Sequence, residues 1–378
     1  PGDALARLRA AAAAAAAEAD TATAPPTTQA EPFVGRQRAL QALNPEISVG
    51  GDLFARAATD EPGRDNFVMR ELEFAFQAVL DPYSRAKVIL ARGEPGAELA
   101  PFAAEGEEPG DAEIDVEEAY LQWVNMPGGL GLTVGRFRQR LGTYNRLHGH
   151  ALPWQQLPLP YVAFLGDEGL AQTGASVYWL LPVHGAGTYE AWIEATRSGN
   201  EAFFGDSHEA NVLAHVNAFW DFSSSYFELG ASGLVGRYEA NGAEATNRLL
   251  HLEAGYNWRP PGRELYRELT LRGALIWNRR SAIAGVGDGT ASEALGGFAF
   301  AEYRMAQRWL AGVRADYTED PFGAGTHAWA VVPTLTWWQS EFVRIRAEYD
   351  HLRRPAGATG QFLLQFTFAM GPHKHETY

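Results

Sequence analysis

Two close pairs of histidines are the candidates for metal chemistry in this 378-residue chain. One pair is His148 and His150, separated by a glycine, and the other lies in "PHKHE" at residues 372–376. An H-x-H pair can bind Zn²⁺ or Cu²⁺ through neutral imidazole nitrogens, but a closed site needs a third and a fourth ligand. None is evident beside either pair, so His148 and His150 are weak metal candidates. Hydrogen bonding within a loop is the alternative role for them.

Motifs for other chemistry are missing from the sequence. It has no G-x-S-x-G, no phosphate-binding loop and no H-E-x-x-H, and the spacing of its Ser and His residues supports no nucleophile–base pair. We therefore predict that the chain is not an enzyme and needs no cofactor. Its net charge of −15 argues against nucleic acid as a partner, because a nucleic-acid binder needs a basic surface to neutralise phosphates.

Arginines and carboxylates recur instead at positions that alternate with apolar residues. In "EFVRIRAEYDHL", residues 341–352, four apolar side chains alternate with four charged ones. This period of 2 predicts a β-strand with one apolar face and one charged face. In a soluble β-sandwich the charged face would meet bulk water, whereas in a membrane barrel it would line a wet lumen. The pattern alone leaves both interpretations open.

Alternating segments of this kind follow one another from Glu46 to Gly371. We predict sixteen strands, at residues 46–57, 67–80, 83–92, 113–125, 130–138, 169–181, 187–197, 209–222, 225–237, 245–258, 265–279, 292–304, 308–318, 327–338, 341–351 and 360–370. Short turns alternate with longer polar connections, near 58–66, 93–112, 139–168, 198–208, 238–244, 280–291, 319–326 and 352–359. This alternation is typical of membrane barrels, and an even strand number returns both termini to one side.

The aromatic residues distinguish the two interpretations. Outward-facing Trp179, Trp220, Trp258, Trp309, Trp337 and Phe368 fall at the short-turn ends of their strands, and Trp277, Tyr317, Trp329 and Tyr349 fall at the opposite ends. Two aromatic girdles that flank an apolar band mark a lipid interface. A soluble sandwich has no reason to sort aromatic residues by depth, so we expect the charged faces to point into a lumen.

This strand plan resembles a bacterial outer-membrane porin of the sixteen-stranded class, over residues 46–370. The ending "GQFLLQFTFAM", residues 360–370, is similar to the terminal strand that the barrel-assembly machinery reads, although this chain continues to Tyr378. The resemblance implies an all-β transmembrane antiparallel barrel in the outer membrane of a double-membraned bacterium, with both termini in the periplasm. It also implies contact with lipid and lipopolysaccharide, and assembly as a homotrimer.

In porins of this class the third connection folds into the barrel and narrows it. Here that connection is residues 139–168, which are too long and too apolar to remain in water without packing. Arg138, Arg140 and Arg146 would then oppose lumen carboxylates, and this transverse field would select small hydrophilic solutes or ions. The other predicted lumen residues are Glu190, Glu194, Glu253, Arg272, Arg314, Arg344, Arg346, Glu348 and Asp350. A purely structural role for these charges is the alternative.

The two ends of the chain differ from the barrel in composition. Residues 3–20 contain eight consecutive alanines and predict a helix, which a Pro/Thr-rich linker follows. We therefore divide the chain into a periplasmic extension at 1–45, a barrel at 46–371 and a periplasmic tail at 372–378, and we expect a processed chain whose signal peptide has been removed. The helix suggests an alternative function, in which the barrel anchors an envelope layer, a filament or another protein.

Overall fold

The computed structural model describes residues 45–59, 66–93, 100–102, 114–182, 185–283, 289–322 and 325–371. The predicted helix at residues 3–20, its linker and the second histidine pair lie outside these residues. Their roles and the proposed domain limits stay predictions.

Sixteen antiparallel strands form one closed barrel, in which each strand pairs with its neighbours in sequence and β1 pairs with β16. The strands are β1 (Glu46–Ala58), β2 (Phe67–Asp81), β3 (Ser84–Arg92), β4 (Asp115–Met126), β5 (Leu130–Arg138), β6 (Ala171–Leu180), β7 (Thr188–Arg197), β8 (Ala210–Asp221), β9 (Ser225–Ala240), β10 (Ala243–Trp258), β11 (Glu268–Arg280), β12 (Ser292–Ala306), β13 (Trp309–Glu319), β14 (His327–Trp338), β15 (Val343–Arg354) and β16 (Gly357–Met370). The predicted all-β barrel with sixteen strands is confirmed, and the predicted strand limits differ from the observed ones by at most three residues.

Helices are short in the described part of the chain. Two are α-helical, α1 (Leu159–Leu165) and α2 (Glu201–Phe204), and two are single 3₁₀ turns, Tyr144–Arg146 and Gly149–Ala151. None of the helices among the described residues has the length and apolar character needed to cross a membrane.

Side chains alternate between the inside and the outside of the barrel, as the period-2 pattern predicts. On β15 the four charged residues Arg344, Arg346, Glu348 and Asp350 are buried inside the barrel. The outward positions of the neighbouring strands carry exposed Leu, Val and aromatic side chains. The barrel therefore has an apolar outer surface and places these charges within it.

The predicted girdle residues lie on this outer surface. Trp309 and Trp337 are cross-strand partners near the short-turn end, with ring centroids 6.2 Å apart, and Tyr317 pairs with Trp329 near the other end. The remaining members are half-buried or exposed: Trp179, Trp220, Trp258, Trp277, Tyr349 and Phe368. Their sorting by depth is the arrangement expected of side chains at a membrane interface.

Two connections predicted as long are tight turns. The strands β9 and β10 extend until only Asn241 and Gly242 join them, and Pro355 and Ala356 alone join β15 to β16. Both Asn241 and Gly242 have positive φ, 53° and 74°, which is the type I′ geometry that Asn-Gly favours because it matches strand twist. The Asn-Gly pair carried this information in the sequence, so the prediction of a long polar loop at 238–244 was wrong.

Contact between the outer surface of the barrel and lipid can be tested with a charged substitution. Leu252 lies near the middle of β10 and is 56% exposed. We expect Leu252→Arg to lower the free energy of unfolding from lipid vesicles by about 2–4 kcal/mol, because a charge at mid-membrane depth loses its hydration. Denaturant titration with Leu252→Met as the matched control measures this. Equal stability of the two variants would show that this face does not contact lipid.

Candidate functional site: a loop-lined cavity in the barrel

The connection between β5 and β6, residues 139–170, packs inside the barrel; we call it the inserted loop. Its apolar side chains form a buried cluster with Trp154 at the centre, which is fully buried. The Trp154 ring lies 4.8 Å from the Tyr144 ring and 4.4 Å from the Phe300 ring. The guanidinium of Arg314 lies over the same indole, 4.6 Å from its centroid. These ring contacts and the cation–π contact fix this part of the loop against the wall.

The barrel wall supplies the other half of the apolar cluster. Inward-facing wall residues on β8 to β12 contact the loop, namely Leu213, Leu234, Leu249, Ala274, Ile276, Ala294, Phe298 and Phe300. These residues were not predicted. The signal was present, because "ALIW" at 274–277 and "FAFA" at 298–301 are continuous apolar runs rather than alternating ones, and such runs indicate strands that are buried on both faces.

A second insertion adds to this packing. Helix α2 places Phe203 and Phe204 in the same buried cluster. Asn200 caps the helix by accepting the Phe203 N–H at 2.8 Å, and its amide donates to the carbonyls of Leu165 and Gly169 in the inserted loop. The side of the barrel formed by β8 to β14 is therefore filled by protein.

Arginines of the wall hold the backbone of the inserted loop. Arg344 donates to the carbonyls of His150 and Leu152, at 2.5 and 3.3 Å, and Arg346 also donates to Leu152, at 2.8 Å. Arg314 donates to the carbonyl of Gln156 at 3.0 Å, and Arg70 donates to the carbonyl of Gln155. These charge-assisted bonds satisfy carbonyl oxygens that accept no backbone hydrogen bond within a helix or sheet.

Carboxylates of the wall hold the amide groups of the same loop. Each accepts a backbone N–H: Glu348 from Gln155 at 3.1 Å, Asp316 from Leu159 at 3.2 Å, Glu253 from Thr143 at 2.9 Å and Glu194 from Arg140 at 3.1 Å. In addition, the hydroxyl of Tyr161 and Nε2 of His251 share a hydrogen bond at 2.6 Å. Burial raises the pKa of Tyr161 well above its usual value, so this hydroxyl keeps its proton.

A cavity of about 430 Å³ remains between the inserted loop and the opposite wall, formed by β3 to β7. Its charged lining residues are Arg85, Lys87, Glu118, Arg138, Arg140, Arg146, Glu190 and Glu194. Arg140 stacks over the Trp192 ring at 4.5 Å, and Glu190 accepts a hydrogen bond from Tyr178 at 2.6 Å. The Arg138 guanidinium lies 3.8 Å from Glu117 and donates to the carbonyl of Glu168 at 2.8 Å.

The structure thus divides the predicted lumen residues into two groups. Arg138, Arg140, Arg146, Glu190 and Glu194 meet at the cavity. The others lie away from it: Glu253, Arg314, Arg344, Arg346 and Glu348 bind the loop, Arg272 pairs with Glu228 at 3.1 Å, and Asp350 accepts from Gln361 at 2.8 Å. The sequence did not distinguish these groups, because both alternate with apolar residues in the same way.

His148 and His150 lie in the inserted loop, where it meets β2 and β4. Nδ1 of His148 contacts Glu117 and lies 3.3 Å from Glu73, and its Nε2 lies 3.6 Å from Glu118. Nδ1 of His150 lies 3.1 Å from Glu71. The carboxylates that the sequence did not show beside this pair come from strands distant in sequence.

The packing around Trp154 generates a test of loop docking. Trp154→Ala removes about 3–5 kcal/mol of packing energy at a fully buried site. We expect the loop to detach while the strands persist, because the lost contacts lie inside a closed barrel. Limited proteolysis with mass spectrometry should then show cleavage within 139–170, and circular dichroism should show unchanged strand content. Trp329→Ala, on the outer surface, is the control, and equal protease resistance of both variants would contradict this account.

Comparison with known protein sequences identifies a distant relative. No protein-family model matches the chain. An uncharacterized protein of Aquifex aeolicus (strain VF5) is 27% identical over 301 residues, which are 68% of this chain and 62% of that protein. The chain therefore spans less than two thirds of that relative's length.

Several solved structures share the barrel. An anion-selective porin from Comamonas acidovorans aligns with a TM-score of 0.57 at 9% identity, over 86% of this chain and 100% of that one. Pseudomonas putida OprB aligns with a TM-score of 0.57 at 9% identity, over 89% of this chain and 96% of that one. The trimer form of OmpT, an outer membrane protein of Vibrio cholerae, aligns with a TM-score of 0.54 at 9% identity, over 86% of this chain and 99% of that one. The chain therefore has the closed sixteen-stranded barrel fold of the outer-membrane porins.

Proposed function

We propose that the chain is a channel of the bacterial outer membrane through which small hydrophilic solutes or ions diffuse passively. The observation that carries this proposal is the charged cavity between the inserted loop and the wall of a closed barrel. A polar space inside an apolar-surfaced barrel is a path for water and for solutes that keep their hydration. No step of this function needs a catalytic group or a cofactor.

The path is off-centre in the barrel. Apolar packing fills the side formed by β8 to β14, whereas the side formed by β3 to β7 keeps polar and charged inward residues. Water and solutes would therefore pass along β3 to β7, with the start of the inserted loop as the narrowing element. Arg138, Arg140 and Arg146 lie at this narrowing, where a fixed charge acts at short range on a passing ion.

The lining charges favour anions. Five cationic side chains and three carboxylates border the cavity, and one of the cations, Arg138, also pairs with Glu117, which does not line it. This leaves a surplus of one positive charge with His148 neutral. Arg140 is held by its stacking on Trp192, so its charge has a fixed position. We infer a mild anion preference, on a background of mixed charge that also orients polar solutes. The Comamonas acidovorans porin of the same fold is described as anion-selective, which is consistent with this inference.

Membrane placement follows from the same proposal. The outer surface would contact lipid and, in the outer leaflet, lipopolysaccharide, with the short turns and both termini on the periplasmic side. Assembly as a homotrimer would cover part of the apolar band, and the Vibrio cholerae structure of this fold is described in a trimer form. We expect light scattering of the detergent-purified chain to give the protein mass of three copies, and a monomer mass at all concentrations would contradict the trimer.

Planar-bilayer recording tests the channel itself. We expect stepwise single-channel conductance from the parent chain and, in a salt gradient, a reversal potential of the sign for anion preference. Arg140→Ala removes one positive charge and the bulk of its side chain, so conductance should rise and the reversal potential should shift toward cations. Arg279→Ala is the control, because that arginine is half exposed, pairs with Glu293 and does not line the cavity.

The result that would overturn the proposal is equally direct. A folded, heat-modifiable barrel that inserts and conducts no ions would show that the cavity is not a path. The alternative in which the barrel anchors an envelope layer, a filament or a partner protein would then be favoured. An unchanged reversal potential in Arg140→Ala would retain the channel but remove the inserted loop as its selectivity element.

A further inference from the structure

A cluster of metal-binding side chains lies where the inserted loop meets the wall. Glu71 and Glu73 from β2, Glu117 from β4 and His148 from the loop each offer a ligand atom, and these atoms all lie within 4.8 Å of one another. Glu71, Glu73 and His148 are buried and Glu117 is half-buried. An imidazole nitrogen together with carboxylate oxygens is a ligand set that Zn²⁺ and neighbouring first-row cations accept.

A β-bulge places Glu117 in the cluster. Ile89 pairs with Glu118 and Leu90 pairs with Val116, so Glu117 is the extra residue of β4 at this point. Strict alternation would direct Glu117 and Glu118 to opposite faces of the wall. With the bulge, both carboxylates lie beside His148, because an extra residue locally re-aims the side chains of the bulged strand.

A second bulge shapes the other side of the cluster. Asp52 of β1 pairs with Glu71 and Leu53 pairs with Met69, which leaves Arg70 as the extra residue. Arg70 turns inward, pairs with Asp52 and binds the inserted loop, beside Glu71. Gly149 of the His-Gly-His turn lies so close that a Cβ there would be 3.3 Å from both the Arg70 guanidinium and Glu71 Oε2. The glycine lets the two histidines approach β2.

The charges of the cluster do not balance when the imidazoles are neutral. Four carboxylates meet here (Glu71, Glu73, Glu117 and Glu118), and two permanent cations, Lys87 and Arg138, face them. Arg70, which lies beside Glu71, is paired with Asp52. Lys87 lies 2.9 Å from Glu118, and Arg138 lies 3.8 Å from Glu117. The remainder is a charge of −2 in a buried place, which one divalent cation would neutralise.

We propose that Glu71, Glu73, Glu117 and His148 bind one divalent first-row cation, for which Zn²⁺ is the probe. Bonds of about 2.0–2.2 Å place tetrahedral ligand atoms about 3.3–3.6 Å apart, so the side chains draw together by about 1 Å on binding. His150, with Nδ1 3.1 Å from Glu71 and 3.8 Å from Glu73, is a positioning residue that orients both carboxylates.

The bound cation would connect three elements of the barrel. It joins β2 and β4 to the inserted loop at the edge of the cavity, which His148 and Glu118 also border. The cation would therefore hold the start of the loop on the side that lies away from the apolar cluster around Trp154. This binding does not depend on the channel function, so each can fail without the other.

Calorimetric titration of the detergent-folded full chain with Zn²⁺, after treatment with a chelator, tests the proposal. We expect one Zn²⁺ per chain, and we expect Glu73→Gln and Glu117→Gln each to weaken binding by more than about tenfold. Glu228→Gln is the matched control, because Glu228 is a buried inward carboxylate that pairs with Arg272 on another part of the wall. It should bind Zn²⁺ like the parent, and circular dichroism should confirm that all variants fold.

The second histidine pair provides a further control. A His373→Ala, His375→Ala double variant should bind Zn²⁺ like the parent. Loss of binding in that variant with full binding in Glu73→Gln would place the metal at the terminal pair and overturn the proposal. Absence of Zn²⁺ binding in the parent would also overturn it, and would leave two protonated imidazoles as the balancing charges. Equal or tighter binding of Ca²⁺ would exclude His148 as a ligand, because Ca²⁺ takes oxygen ligands.

Discussion

Buried backbone amides without a secondary-structure partner are the constraint on which this structure depends. The inserted loop carries irregular backbone into the barrel, where each N–H and C=O that loses water needs a hydrogen bond. The wall supplies these bonds through ionised side chains, with Arg344 and Arg346 on carbonyl oxygens and Glu348 on an N–H. Inward charges of both signs are therefore a structural requirement of the loop, independently of the proposed channel function.

The same constraint divides the barrel into two sides. The strands β8 to β15 provide both an apolar wall for the side chains of the loop and most of the charges that bind its backbone. Arg70 on β2 and Glu194 on β7 add to these charges. On the opposite side, β3 to β7 have polar inward residues and no comparable apolar cluster among the described residues, so a cavity remains there. The position of the space for water thus follows from the distribution of Leu, Ile and Phe on the inner face.

The sequence predicted the barrel well because alternation is a local property. Each strand can be identified from the alternation of its own side chains. Sixteen such segments with turns between them are compatible with few architectures other than a barrel. Contacts of the candidate site were less predictable, because they depend on register between distant strands. Glu117 illustrates this limit. The period-2 pattern assigns Glu117 to the outward face of β4, and it assigns Val116 and Glu118 to the inward face. The bulge becomes visible only in the pairing with β3, where Glu118 pairs with Ile89 and Val116 pairs with Leu90. The histidine pair similarly lacked visible ligands, because Glu71 and Glu73 are more than seventy residues away.

The division between loop-binding and cavity-lining charges changes how selectivity is inferred from a barrel sequence. A sum over all inward charges would count Arg314 and Arg346, yet both are buried and their guanidinium groups are directed at loop carbonyls. A charge in that position acts on a passing ion only across packed protein and after compensation by its neighbours. Arg140 and Glu190 border the cavity itself, so their charges act directly on its contents. In the proposed channel, ion preference should therefore follow the small set of residues on β3 to β7 and at the start of the loop, whatever the net charge of the whole inner face.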